Sequence, residues 1–207
     1  MPCYHLFDQQ KITFVHIPKN AGTSIYQWLR NNRGTSQFHG WPGHPTLATM
    51  RQDRSDIEFV MTSVRNPWAR VVSYYAMLND AVVGDNFLSD TIGVRKIKDF
   101  DDFIKSWLPE VDTTIKNLDS ERLQKMYYSI MEPQCHWLSG ETADLVLRQE
   151  NMVEDFAQVQ EMFGCSEPLP FANTTKHEDY RSYYTSATKK IVAGWHEQDI
   201  DTWKYTF

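Results

Sequence analysis

ITFVHIPKNAGTSIYQWLR, Ile12 to Arg30, carries two apolar periodicities joined by a polar turn. Ile12 to Ile17 is a short apolar run rich in β-branched and aromatic side chains, the composition of a buried strand. Pro18 closes it. Ile25, Trp28 and Leu29 then recur at i, i+3 and i+4, one stripe of a helix, and Thr23 and Ser24 are suited to cap its start. The join PKNAGTS offers small residues where the backbone bends, then hydroxyls, then first-turn N–H groups without helical partners. Such a turn attracts anions, because unpaired N–H groups and the helix dipole both favour negative charge. Lys19 adds a mobile cation. A plain strand–turn–helix accounts for the apolar pattern but not for a lysine, a glycine and two hydroxyls together. The nucleotide pattern G-x-x-x-x-G-K-[ST] places its lysine after the second glycine, whereas Lys19 precedes Gly22. With Gly22 alone, the dinucleotide fingerprint also fails.

The chain has 207 residues, enough for one domain with a sizeable core, and its 41% apolar and 23% charged content is ordinary for a globular protein. A net charge of −6 argues against a broad nucleic-acid surface but leaves room for a local basic pocket. Cys3, Cys135 and Cys165 are odd in number and far apart, so neither a disulfide framework nor a zinc knuckle is expected, and free thiols in a reducing compartment are. The opening MPCYHLFDQQ has no apolar signal region, and no apolar run reaches the length of a membrane span. A cytoplasmic chain without a membrane partner is the expectation.

Further along, NNRGTSQFHGWPGHP, residues 31–45, reads as a loop, and residues 46–53 as a short helix capped by Thr46. Residues 57–63 (IEFVMTS) form a second apolar strand. Pro67 then opens a helix with Trp68, Val71, Val72 and Tyr75 on an apolar face and Arg70, Ser73, Tyr74 and Met77 opposite. Residues 78–98 read as irregular, with helices over 100–108 and 120–131. Residues 144–147 (DLVL) give a third strand. Asn151 is placed to cap the next helix, whose buried stripe is Val153, Phe156, Val159 and Phe163, with Gly164 ending it. A last helix steps through Tyr184, Ala187, Thr188, Ile191, Val192 and Trp195. Alternating strands and helices predict an α/β fold: one domain over 1–207, with a mainly parallel sheet flanked by helices and a phosphate-binding strand–loop–helix of P-loop type.

The second strand exit, FVMTSVRNPWARVVSYY, repeats the arrangement of the first. Arg65 stands where a strand ends and can fork onto a phosphate, and Ser73 lies two turns down the next helix. PKNAGTS after an apolar strand resembles the 5′-phosphosulfate loop of sulfotransferases that use 3′-phosphoadenosine 5′-phosphosulfate (PAPS). The segment R-N-P-x-x-R-x-x-S-x-Y resembles their 3′-phosphate-binding segment, at the order and distance of that family. The segments from Gln134 to Leu138, DLVLRQENMVEDFAQV and LPFANTTK are similar as well. They fit the carbohydrate O-sulfotransferase branch related to heparan 2-O- and chondroitin sulfotransferases.

The resemblance implies an enzyme moving a sulfuryl group from PAPS to an acceptor hydroxyl, leaving adenosine 3′,5′-bisphosphate and needing no metal. Lys19 would stabilise charge on the leaving oxygen, and Asn20, Ala21, Gly22, Thr23 and Ser24 would wrap the 5′-phosphate. Arg65 and Ser73 would hold the 3′-phosphate, and Thr175 and Lys176 would belong to a loop closing over the nucleotide. A histidine suits the base near neutral pH. His44, in the loop after the first helix, is the first candidate and His39 the second, while His16 inside the strand reads as a core histidine. The region after His44 lacks the acidic residue that often follows in the family. The acceptor is a saccharide or a small metabolite. Trp41, Trp68, Tyr74 and Tyr75 are equally suited to stacking on it or to packing. Two other readings are a metal-dependent small-molecule kinase, against which Ser63-Val64-Arg65 stands where a magnesium-binding aspartate belongs, and a non-catalytic nucleotide-binding protein of the same fold.

Overall fold

The structure, a computed structural model, describes residues 4–7, 11–33, 44–79, 95–119, 129–171 and 177–207; for 4–7 and Arg33 it describes backbone alone. His39, Trp41, Thr175 and Lys176 lie outside the described residues, as does most of the helix expected over 120–131. The chain forms two compact units, Met1–Arg65 with Gln134–Thr174, and Asn66–Pro133 with Thr175–Phe207.

The first unit is built on a four-stranded sheet in the order β1-β2-β3-β4, with β1 Tyr4–Phe7, β2 Ile12–Val15, β3 Phe59–Val64 and β4 Leu145–Arg148. β2, β3 and β4 run parallel, with Ile12 opposite Phe59 and Met61 opposite Leu145. β1 is an antiparallel edge strand, pairing Tyr4 with Val15, and was not expected from the sequence. β3 is central and buried from Val60 to Val64, as a parallel strand covered on both faces must be. Its hydroxyls are paired: Thr62 Oγ1 donates to the Val15 carbonyl at 2.8 Å and Ser63 Oγ to the Asn20 carbonyl at 2.6 Å.

Helix α1, Gly22–Arg33, packs Ile25, Trp28 and Leu29 against the sheet in a core shared with Phe14, Met61, Leu147 and Phe156. The Trp28 ring meets Phe156 edge-on at 5.0 Å, and its Nε1 donates to the Glu167 carbonyl at 2.6 Å. Helix α2, Leu47–Asp53, is capped by Thr46 as expected.

The second unit opens with α3, Pro67–Leu78, capped by Asn66. The side opposite its apolar stripe is buried as well: Arg70, Ser73 and Tyr74 are buried along with Trp68, Val71 and Val72. The helix expected over 100–108 continues to Lys116, as α4 (Phe100–Asp102), a π-helical stretch (Phe103–Trp107) and α5 (Leu108–Lys116). Pro109 supplies a reason for the break, since it has no N–H for an i→i−4 bond and its ring would crowd the preceding turn. The Leu108 N–H reaches back to the Phe103 carbonyl instead. Phe103, Ile104, Trp107 and Val111 meet Trp68, Val72 and Val192 in the core of this unit. Tyr75 stands among the rings of Phe100, Phe103 and Tyr183, so Trp68, Tyr74 and Tyr75 are packing residues.

In the first unit, α6 (Cys135–Leu138) precedes β4, and α7 (Met152–Phe163) follows it after a turn of 3₁₀ helix at Gln149–Asn151. Asn151 makes no side-chain cap; the Asp155 carboxylate instead accepts the Arg148 N–H at 2.6 Å. Val153 is 78% exposed, and Met152 takes its expected place beside Phe156, Val159 and Phe163. Gly164 ends α7 in the left-handed region, with φ 58°. In the second unit, α8 (Ser186–Trp195) begins with a reciprocal capping box between Thr185 and Thr188, and a further helix, α9 (Glu197–Trp203), follows it. Among the described residues no helix is long and apolar enough to cross a membrane, and Cys135 and Cys165 are free thiols.

Candidate functional site

The turn between β2 and α1 is held in an uncommon backbone. Lys19 and Ala21 have φ of 71° and 60°, left-handed values that non-glycine residues seldom take and that tend to persist where function needs them. Such a turn aims successive N–H groups toward one side, the geometry of an anion nest. The Ala21 carbonyl accepts the N–H groups of Ser24 and Ile25 at 3.0 and 3.3 Å, so the helical ladder begins there. The N–H groups of Gly22 and Thr23 are left outside that ladder. Thr23 and Ser24 therefore sit within the first turn of α1 and do not cap it.

Gly22 is demanded by space. A Cβ there would lie 1.9 Å from Cδ2 of His16 and 2.2 Å from its Nε2. His16 is thus half-buried at the exit of β2, its ring over the start of α1, and it is not the core histidine its place in an apolar run suggests. It also meets the His44 ring edge-on at 4.8 Å. His44 Nδ1 lies 3.3 Å from the His16 carbonyl. A carbonyl only accepts, so that bond puts the proton on Nδ1 and the lone pair on Nε2, the tautomer of a general base. Trp137 Nε1 donates to the His44 carbonyl at 3.2 Å and fixes its backbone.

Across the parallel pair, β3 ends at Val64 and Arg65 follows. Two side-chain amides lock the two exits together. Asn20 Nδ2 donates to the Ser63 carbonyl at 2.9 Å and to Gln134 Oε1 at 2.6 Å. Gln134 Oε1 also accepts the Arg65 N–H at 2.9 Å, and Gln134 Nε2 donates to the Arg65 carbonyl at 2.8 Å. The bonding leaves no freedom to flip either amide, because the Asn20 nitrogen faces two acceptors and the Gln134 oxygen two donors. Asn20, Ser63 and Gln134 are all buried. Asn20 Oδ1 is buried without a hydrogen-bond partner among the described residues, a cost on the order of 1–3 kcal/mol that the two donations offset.

The lock holds two cations near one another. The Lys19 pKa is lowered to about 8, first by burial and then by the Arg65 guanidinium. Lys19 is still largely an ammonium at neutral pH, in a site where an anion would relieve the repulsion. A phosphate or sulfate group suits these donors: two cations and a nest of N–H groups. Among the described residues no three of His, Cys, Asp and Glu converge as metal ligands would.

Of the residues expected from the sequence, Lys19, Asn20, Ala21, Gly22, Thr23, Ser24, His44 and Arg65 all belong to the first unit, and Lys19 and Arg65 interact. Ser73 is a buried residue of α3 in the second unit. Gln134 and Ser63 carry no local signal of their part. The partners of Gln134 stand 69 and 114 positions away in the chain. For His16 the signal was present, a polar ring near the end of an apolar run just ahead of the Pro18-Lys19 turn.

Residues 4–202 match a family model described as the sulfotransferase family. No curated protein and no solved structure gives a significant match to the chain.

Proposed function

Because the chain belongs to the sulfotransferase family, we propose that it transfers a sulfuryl group from PAPS to an acceptor hydroxyl, with His44 as the base. The observation that carries this reading is the pair of cations, Lys19 and Arg65, held beside a left-handed turn at adjacent strand exits. When bound, the donor supplies an activated sulfuryl group on a phosphate leaving group. The Lys19 ammonium neutralises charge on the leaving oxygen, a contribution that is largest in a dry site. The turn from Asn20 to Ser24 orients the 5′ end through backbone N–H groups and the two hydroxyls. Arg65 and Ser73 are assigned to the 3′-phosphate on the family resemblance, and so are Thr175 and Lys176 to a closing loop. His44 takes the acceptor proton at Nε2 as the acceptor oxygen attacks in line. His39 is the alternative base. The acceptor is a saccharide or a small hydroxylated metabolite.

The test pairs binding with turnover. Adenosine 3′,5′-bisphosphate should raise the melting temperature, and ATP with magnesium should do so far less; the reverse order would favour a kinase. Labelled sulfate should pass from PAPS to at least one member of a panel of glycans and small alcohols. Lys19→Ala should abolish that transfer with the fold intact. Unchanged turnover in His44→Ala and in His39→Ala, singly and together, would remove both histidines as bases.

A further inference from the structure

The site holds a residue whose side-chain amide makes three bonds that touch both strand exits. Gln134 precedes α6, is fully buried, and bonds Asn20 of the first exit and both backbone groups of Arg65 at the second. Ser63 closes the same ring from β3 by donating to the Asn20 carbonyl. We propose that Gln134 is a positioning residue for the sulfate donor: its amide staples the Lys19–Asn20 turn to Arg65, and so sets the separation of the two cations that grip the anion. This rests on the sulfotransferase reading for the identity of the anion, but the staple itself is made by the chain's own bonds.

The physical argument is one of competing forces. Two like charges at close range in a partly dry site repel, and long flexible side chains on two separate loops would drift apart if their backbones were free to move. Backbone bonds to a buried amide oppose that drift. Each net bond is worth about 1 kcal/mol, and leaving its buried partners unmade costs more. The clamp acts on the Asn20 side-chain amide at one exit and on the Arg65 backbone at the other. Adjacent ionisable groups on the packed elements are His16 on the exit of β2 and His44 ahead of α2.

The experiment reads the Lys19 amine directly, by following its side-chain ¹³Cε shift against pH in the ligand-free protein. In the parent the midpoint is expected near the lowered value of about 8. In Gln134→Met, which keeps volume but cannot hold either exit, it should move up toward the ordinary lysine value. The same variant should weaken adenosine 3′,5′-bisphosphate binding by at least tenfold, and should raise the donor KM more than it lowers kcat. Val159→Ala, which loosens the core of the same unit elsewhere, should leave the Lys19 midpoint in place. If Gln134→Met does not fold, Ser63→Ala removes one bond of the ring and should move the midpoint the same way by less. An unmoved Lys19 midpoint in the folded variant, or an equal shift in Val159→Ala, overturns the proposal. A parent that binds no bisphosphate overturns the sulfotransferase reading instead, and leaves the titration to decide the staple.

Discussion

Burial and the Arg65 guanidinium bring the Lys19 pKa to about 8, against 10.5 for an ordinary lysine. Between those values the unfolded chain binds more protons than the folded one, so stability rises with pH through that window. At neutral pH the buried ammonium therefore costs stability, and Lys19→Met should raise the melting temperature by several degrees while abolishing transfer. Anion binding has the opposite sign. In the parent, affinity for adenosine 3′,5′-bisphosphate should fall as pH rises above about 8, by up to tenfold per unit, and calorimetric titrations of Lys19→Met should show no such fall. Gly22 and His16 give a second prediction at this scale. A Cβ at Gly22 would collide with the imidazole, so Gly22→Ala should cost about 1–3 kcal/mol in chemical denaturation. Adding His16→Ala should return much of that loss, a coupling of about 1 kcal/mol or more. Additive effects would mean that the ring is not what excludes the side chain.

Elements differ in how openly they advertise themselves. The two strand–loop–helix joins are legible because each is local: an apolar run, a turn and a 3.6-residue stripe lie within about twenty positions. The phase of α7 differs from its linear apolar pattern: a turn of 3₁₀ helix precedes it, Val153 is exposed and Met152 packs on the core. On the side of α3 opposite its apolar stripe Arg70 is buried, and it donates to the Glu132 carbonyl at 3.0 Å, a partner 62 positions away. Local rules do hold at the start of that helix. Asn66 Oδ1 accepts the N–H groups of Trp68 and Ala69 at 3.1 and 3.4 Å, and its Nδ2 donates to the Thr206 carbonyl at 2.8 Å. Asn66→Ala should lower unfolding free energy by about 1–2 kcal/mol in urea titrations. Asn66→Asp keeps the cap and loses the tie to Thr206, so its cost should fall between parent and alanine. A cost for Asn66→Asp equal to that of alanine would show that the tie, and not the cap, carries the effect.

Over the whole molecule, the chain carries a net charge of −6, while Lys19 and Arg65 form a local cationic pair. A second titratable group is buried in the second unit. His196 and Asp199 are fully buried, with Nδ1 and Oδ2 3.3 Å apart. Burial lowers the His196 pKa, Asp199 opposes that, and the buried Arg70 adds to it. The unfolded chain takes up this proton near 6.5 and the folded one only at lower pH, so unfolding free energy should fall as pH drops below about 6.5. His196→Gln should flatten that decline in urea midpoints measured from about pH 5 to 7.5; an unchanged slope would assign the decline to other groups.

The order of residues was enough, without coordinates, to establish an α/β chain with parallel strands and a strand–turn–helix carrying Lys19, because periodicity, turn chemistry and helix-start signals are all short-range. It also pointed to Arg65 at a second strand exit. Only the folded chain decided that those exits are neighbours whose charges interact, that His16 and not a bulkier turn residue fills the space over Gly22, and that Gln134 holds both exits. Each of those facts depends on atoms brought together across tens of residues by burial and hydrogen bonding, for which the linear pattern has no signature.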